Sequence, residues 1–171
     1  PPGPSFPLAF LVQSGAQATL ILKTHRLPPL DWLDEAGHRA LAAGGLEGLW
    51  LHLHPAAGRR LFARNGWRLL WGEPRSRDAF GLNYGPTAFQ QLIPDLYRQA
   101  LDAAEGFLDP RPGDSIADLY CGIGASLTRW AARGARTIGV ELGGETVECA
   151  RSNAPKAGIL RGKCADRIPQ L

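Results

Sequence analysis

The sequence predicts an α/β fold: a partial Rossmann-like parallel sheet over Arg77–Leu171, preceded by a small α/β module over Pro1–Ser76. Three observations predict it. From Ser115 onward, apolar strand-like runs alternate with helix-like ones, and that alternation builds a parallel sheet with right-handed crossovers. A glycine turn, Cys121-Gly122-Ile123-Gly124, follows the first of those runs. A linker-like patch, Gly72-Glu73-Pro74-Arg75-Ser76-Arg77, separates the alternating part from the mixed one before it.

In the first module, the opening Pro1-Pro2-Gly3-Pro4 reads as a linker. Leu8–Val12 and Ala18–Lys23 read as strands around the turn-like Gln13-Ser14-Gly15. Asp31 is a candidate N-cap for a helix running to Ala43, which Gly44-Gly45 stops. Leu49–His54 alternates as a strand does. Arg60–Ala63 and Trp67–Trp71 form a candidate hairpin around Asn65-Gly66, a strong turn dipeptide.

In the second part, Phe80–Phe89 reads as extended. Pro94 suits the first turn of a helix to about Phe107, whose apolar Leu96, Tyr97, Ala100, Leu101 and Ala104 recur at helical spacing. Ser115–Tyr120 is a strand, Ser126–Arg133 a helix, Thr137–Val140 a second strand ending in Glu141, and Glu145–Ser152 a second helix. Ile159–Ala165 is a candidate third strand ending in Asp166.

Composition narrows the class. No apolar run approaches the roughly 18 residues of a membrane helix, so no membrane partner is expected. Three widely spaced cysteines, without a Cys-x-x-Cys pair, argue against a disulfide framework and for a reducing, cytoplasmic setting. The net charge of +3 is compatible with a nucleic-acid partner. Arg59, Arg60, Arg64, Arg68, Arg75 and Arg77 make one stretch locally basic. It reads either as a solvated surface or as a phosphate-contacting face. Oligomeric state is not encoded in any pattern here.

The chemistry concentrates after the first strand of the alternating part. A glycine turn at a strand's carboxyl end lets a ligand approach the backbone, with the next helix pointing at it. Glu141, ending the second strand, is placed to accept the hydroxyls of a ribose. Asp166, after the third, is placed to receive the exocyclic amine of adenine. A dinucleotide fingerprint wants a third glycine, but Leu127 stands there. Asp118 instead stands four residues before Gly122, and this Asp-x-x-x-Gly-x-Gly pattern points to S-adenosylmethionine.

The string Asp118-Leu119-Tyr120-Cys121-Gly122-Ile123-Gly124 resembles the cofactor motif of the RNA (uracil-5-)-methyltransferases, which make 5-methyluridine in rRNA and tRNA. Phe89-Gln90-Gln91 resembles that family's upstream aromatic and glutamine, with Gln91 in the glutamine's place. Gly139-Val140-Glu141 and Ser152-Asn153-Ala154 with Gly158 resemble its downstream motifs. The resemblance spans about Gly81 to Leu171. It implies cofactor contacts from Gln91, Tyr120, Ala125, Glu141 and Asp166, alongside Asp118, Gly122 and Gly124. It implies RNA as partner, and methyl transfer to carbon 5 of a uridine in rRNA or tRNA. Two positions depart from the pattern. Ile93 replaces an asparagine, and Ala125-Ser126 replaces Asn-Phe, so Ala125 offers only its backbone. The family's nucleophilic cysteine and carboxylate base lie C-terminal to the third strand, so no catalytic residue is assigned within this chain. The chain thus reads as a fragment, inactive alone. Two other classes stay open: a methyltransferase for another substrate, and a non-catalytic cofactor-binding module.

Three further features have plainer readings. His52-x-His54 reads as an exposed strand face, since no third ligand completes a metal site. Trp50, Trp67 and Trp71 could stack bases, but Trp67 and Trp71 flank the candidate hairpin and suit a core. Asp34-Glu35 suits the first turn of a helix. The cysteines Cys121, Cys149 and Cys164 are expected to be buried.

Overall fold

Two strands of the first part, Gln17–Leu22 and Gly48–Leu53, are buried along nearly their whole length, as strands inside a sheet are. The computed structural model, which describes residues 9–171, forms one compact unit ending at Ser76 and a second from Arg77 to Leu171. The proline-rich opening, and Leu8 of the first predicted strand, lie outside the described residues.

The first unit is a four-stranded sheet in chain order: β1 (Ala9–Ser14), β2 (Gln17–Leu22), β3 (Gly48–Leu53) and β4 (Trp67–Gly72). β2 and β3 run parallel, joined through helix α1 (Glu35–Ala43), while the outer pairs are antiparallel. Ile21, Leu22 and Leu51 are fully buried between them. Gln17 is buried too, yet satisfied. Its Oε1 accepts from Trp50 Nε1 at 2.9 Å, and its Nε2 donates to Ser76 Oγ at 2.9 Å and the Glu73 carbonyl at 3.1 Å. This network ties the end of the unit back to the central strand.

Three expectations change here. The N-cap of α1 is Asp34, whose Oδ1 accepts from Gly37 N at 2.8 Å, not Asp31. Residues 60–63 form no strand, so there is no hairpin between 60–63 and 67–71. Trp67–Gly72 pairs with β3 instead. Gly66 serves a different purpose: a Cβ there would lie 2.2 Å from the Leu53 carbonyl oxygen, and Leu53 N donates to Gly66 O at 2.8 Å. His52 is not on an exposed face. It is fully buried, stacked on Trp67 with ring centroids 4.0 Å apart, and its Nε2 accepts from Ala63 N at 3.0 Å. Burial lowers its pKa.

At the division, β5 (Ser76–Arg77) pairs with β6 (Asn83–Tyr84). Of the segment Phe80–Phe89, expected to be extended, only Asn83–Tyr84 is strand. Ala88 N then turns back to Gly85 O at 3.1 Å. Helix α2 (Pro94–Leu108) follows, with Pro94 in its first turn, where a missing N–H is harmless.

The second unit holds a three-stranded parallel sheet: β7 (Ser115–Leu119), β8 (Arg136–Glu141) and β9 (Gly158–Arg161), in that order. Helix α3 (Ala125–Ala132) links β7 to β8, and α4 (Gly144–Asn153) links β8 to β9. A core of Cys121, Leu127, Trp130 and Ala154 forms beneath the glycine turn. The third strand is shorter than predicted. It ends at Arg161, and Cys164 and Asp166 lie on a short helix, α5 (Cys164–Arg167). The cause is a hook: Gly162 N donates to Glu141 O at 2.9 Å, and Arg167 Nε donates back to Arg161 O at 2.9 Å.

Candidate cofactor site

Parallel strands bring their carboxyl ends to one edge, and the register fixes which residues meet there. Leu119 pairs with Val140, and Glu141 with Arg161. The turn after β7, the last residue of β8 and the chain leaving β9 therefore converge on the same edge, where open α/β sheets bind ligands.

The turn is strained in a way that positions its backbone. Tyr120 holds φ +72, unusual for a non-glycine residue, and its side chain is 78% exposed. Tyr120 N and Cys121 N both donate to Val140 O, at 2.9 and 3.1 Å. Gly122 and Gly124 follow at φ +55 and +89, and Gly124 caps α3. A Cβ on Gly122 would meet nothing within 4 Å, so space lies open over the turn at that point. At Gly124 it would meet Ala150 of α4 at 3.4 Å. The two glycines thus do different work, one facing open space and one packing.

Glu141 joins the two loops at this edge. Its Oε1 accepts from Leu142 N and Gly143 N, each at 2.7 Å, and its Oε2 accepts from Gly122 N at 3.3 Å. A carboxylate offers about four acceptor positions, so one stays available on Oε2. Gripping two ribose hydroxyls would require the longest of these bonds, from Gly122, to give way.

Asp118 is half-buried on β7 and accepts a hydrogen bond from Ser126 Oγ. Burial pushes its pKa up, and the Ser126 hydroxyl opposes that shift. Its visible task is to fasten the first turn of α3 to β7. Ser126 is a site residue that the sequence reading passed over. It stands where the resembling motif carries phenylalanine, and its eight-residue separation from Asp118 gave no local signal.

Ala125 opens α3 and is buried, consistent with a backbone role only. Asp166 is exposed on α5 rather than at a strand end. Gln91 is also exposed, while its neighbour Gln90 has a buried Nε2 without a hydrogen-bond partner. Gln90 is therefore the amide in this segment whose hydrogen-bonding capacity is left over inside the protein. Cys121 is buried, and burial first, then the charges of Asp118 and Glu141, push its thiol up to about 12. Among the described residues, no group of three or more His, Cys, Asp or Glu side chains is placed to hold a metal ion. No described helix is long and apolar enough to cross a membrane.

Parallel β-α-β connectivity, a glycine turn after the first strand and an acid ending the second define a Rossmann-like fold class. The crystal structure of the Pyrococcus abyssi tRNA (uracil-54, C5)-methyltransferase in complex with S-adenosyl-L-homocysteine shares this fold, with a TM-score of 0.56 and 17% identity over 86% of this chain and 36% of that one. The 23S rRNA (uracil(1939)-C(5))-methyltransferase RlmD of Aromatoleum aromaticum is 34% identical over 143 residues, covering 82% of this chain and 32% of the relative. That of Azoarcus sp. is 33% identical over 145 residues, covering 84% and 33%. Over the stretch it spans, the chain is similar to these 23S rRNA (uracil-C(5))-methyltransferases. It spans about one third of the length of these curated relatives. No protein-family model matches the sequence.

Proposed function

We propose that this chain supplies the S-adenosylmethionine-binding part of an RNA methyltransferase acting on carbon 5 of a uridine in rRNA or tRNA. The observation that carries the reading is Glu141, whose carboxylate bridges the glycine turn and the β8–α4 loop at the carboxyl edge of a parallel sheet. The donor set fits the cofactor: open space over Gly122, a carboxylate with accepting capacity beside it, and Leu127 in place of the third glycine of a dinucleotide fingerprint. When bound, the cofactor supplies an electrophilic methyl group.

The chain's own residues then hold and orient. Glu141 accepts from the ribose, Asp166 is assigned to the adenine amine, and Gly122, Gly124 and Ala125 present backbone. Tyr120, exposed at a strained φ, is assigned a cofactor contact. Asp118 holds α3 through Ser126. Gln91 keeps its assignment as a cofactor contact, with Gln90 as the better-buried amide beside it. The first unit, with Arg59, Arg60, Arg64 and Arg68 all exposed, is assigned to phosphate contacts on the RNA.

Glu141→Gln tests the assignment. The substitution places an N–H₂ group among three backbone N–H donors and removes the charge that strengthens a ribose contact. Calorimetry with S-adenosylhomocysteine is expected to show at least a roughly tenfold loss of affinity, since a charged hydrogen bond contributes about 1.5–3 kcal/mol. An unchanged affinity would refute the role of Glu141.

A further inference from the structure

We propose that Asn153, at the last turn of α4, is a positioning residue that locks the glutamine-bearing segment to the glycine turn and so sets the width of the cofactor site. The inference rests on the cofactor reading above. An asparagine amide has two N–H donors and one carbonyl acceptor. Here all three groups are used, and on two segments far apart in sequence. Asn153 Oδ1 accepts from Asn83 N at 2.8 Å. Its Nδ2 donates to Asn83 O at 2.9 Å and to Ile123 O, also at 2.9 Å. One planar amide thus pairs with both backbone groups of Asn83 in β6 and with the carbonyl between Gly122 and Gly124.

A second contact from the same helix supports the arrangement. At the first turn of α4, the Glu145 carboxylate lies so close to Gly85 that a Cβ there would fall 2.1 Å from Oε1. Tyr84 and Gly85 are both buried. The segment leading to Gln90 and Gln91 is therefore held at both ends of α4, and the glycine turn is held at one. A shift of Asn153 moves both together. No aliphatic side chain reproduces this. Aspartate keeps the bond from Asn83 N but sets an ionised oxygen against two carbonyl oxygens.

The test is Asn153→Asp, with Asn153→Ala beside it, followed by amide hydrogen exchange and by S-adenosylhomocysteine affinity. Exchange is expected to quicken together at residues 83–85 and 122–124. Affinity is expected to fall roughly tenfold at pH 8, as two neutral hydrogen bonds are lost. In the aspartate variant alone, affinity should partly recover toward pH 5.5, because the protonated carboxyl regains an O–H donor. A purely structural residue would give no such pH-dependent rescue. Faster exchange in only one of the two segments, or in neither, overturns the proposal. If the wild-type protein fails to bind S-adenosylhomocysteine, the cofactor reading fails, and the exchange comparison still decides the role of Asn153. Should the variants not fold, the wild-type protein decides it. The Asn83 and Gly124 amides must open with one free energy as denaturant is added, and separate opening overturns the clamp.

Discussion

Gly139 lies within β8 outside the left-handed region, so its backbone does not require glycine. Space does. A Cβ there would lie 2.6 Å from both Cys121 Sγ and Leu127 Cδ1, two side chains of the core beneath the turn. Both are buried, and Cys121 Cβ lies 3.0 Å from the same point, so turning the thiol aside does not relieve the contact. Gly139→Ala is expected to destabilise the second unit by about 1–3 kcal/mol, the usual cost of overpacking. A urea titration checks this by a lower midpoint at unchanged slope, and an unchanged midpoint would show that Cys121 yields. Gly122 is the opposite case, with empty space at the Cβ position and a positive φ. The Gly122-x-Gly124 spacing and the acid at Glu141 were legible in the sequence because each is a local pattern at a strand end. The tasks of Gly139, Ser126 and Asn153 were not, because each depends on a partner that only the fold brings near.

At the scale of elements, the connection between β3 and β4 shows how a local signal is overridden. Asn65-Gly66 advertises a hairpin, yet β4 finds its partner in β3, and Gly66 is required where the chain crosses Leu53. The connection, residues 54–66, is instead pinned at Ala63. Ala63 N donates to His52 Nε2 at 3.0 Å, and Ala63 O accepts from Trp67 Nε1 at 2.8 Å. Arg60 and Arg64 flank that anchor. His52 must stay neutral to accept, and burial holds its pKa below the ordinary 6.5. In the unfolded chain it takes up a proton near 6.5. Its contribution is therefore complete above about 6.5 and is lost as pH falls from there toward the folded value. Denaturant titrations of the first unit between pH 7.5 and 5 should show stability falling, and His52→Gln should flatten that dependence. A slope unaltered by the substitution would assign it to another group. If the pinned connection meets RNA phosphates, the variant Arg60→Ala with Arg64→Ala should weaken binding alike for all sequences. It should also lower the slope of log K against log salt by about one for each contact removed. An unchanged slope would mark these arginines as solvated surface.

Over the whole molecule, the order of elements was more legible than their limits. Alternation of apolar strands and helices announced the parallel arrangement of β7, β8 and β9, and the structure has that order. The end of β9 was misplaced because the Arg167–Arg161 hook acts through a side chain to backbone bond that leaves no periodic trace. That misplacement moved Asp166 from a strand end to α5. The same whole-chain view bears on chemistry. Carbon 5 of uracil becomes reactive when a thiolate adds at carbon 6, so a candidate nucleophile must be accessible and ionisable. Cys121, Cys149 and Cys164 are all buried. Cys121 is pushed up to about 12, which leaves about one thiol in ten thousand ionised at pH 8. Cys149 donates its S–H to Glu145 Oε1 at 3.3 Å. None of the three meets the requirement. The chain is therefore expected to bind S-adenosylhomocysteine while transferring no methyl group to a uridine-containing rRNA or tRNA transcript. With 5-fluorouridine RNA and S-adenosylmethionine it should form no denaturation-stable adduct, because that trap needs a cysteine bonded to carbon 6. An adduct that disappears on Cys121→Ser would overturn the assignment of this cysteine to packing and place the nucleophile inside the glycine turn.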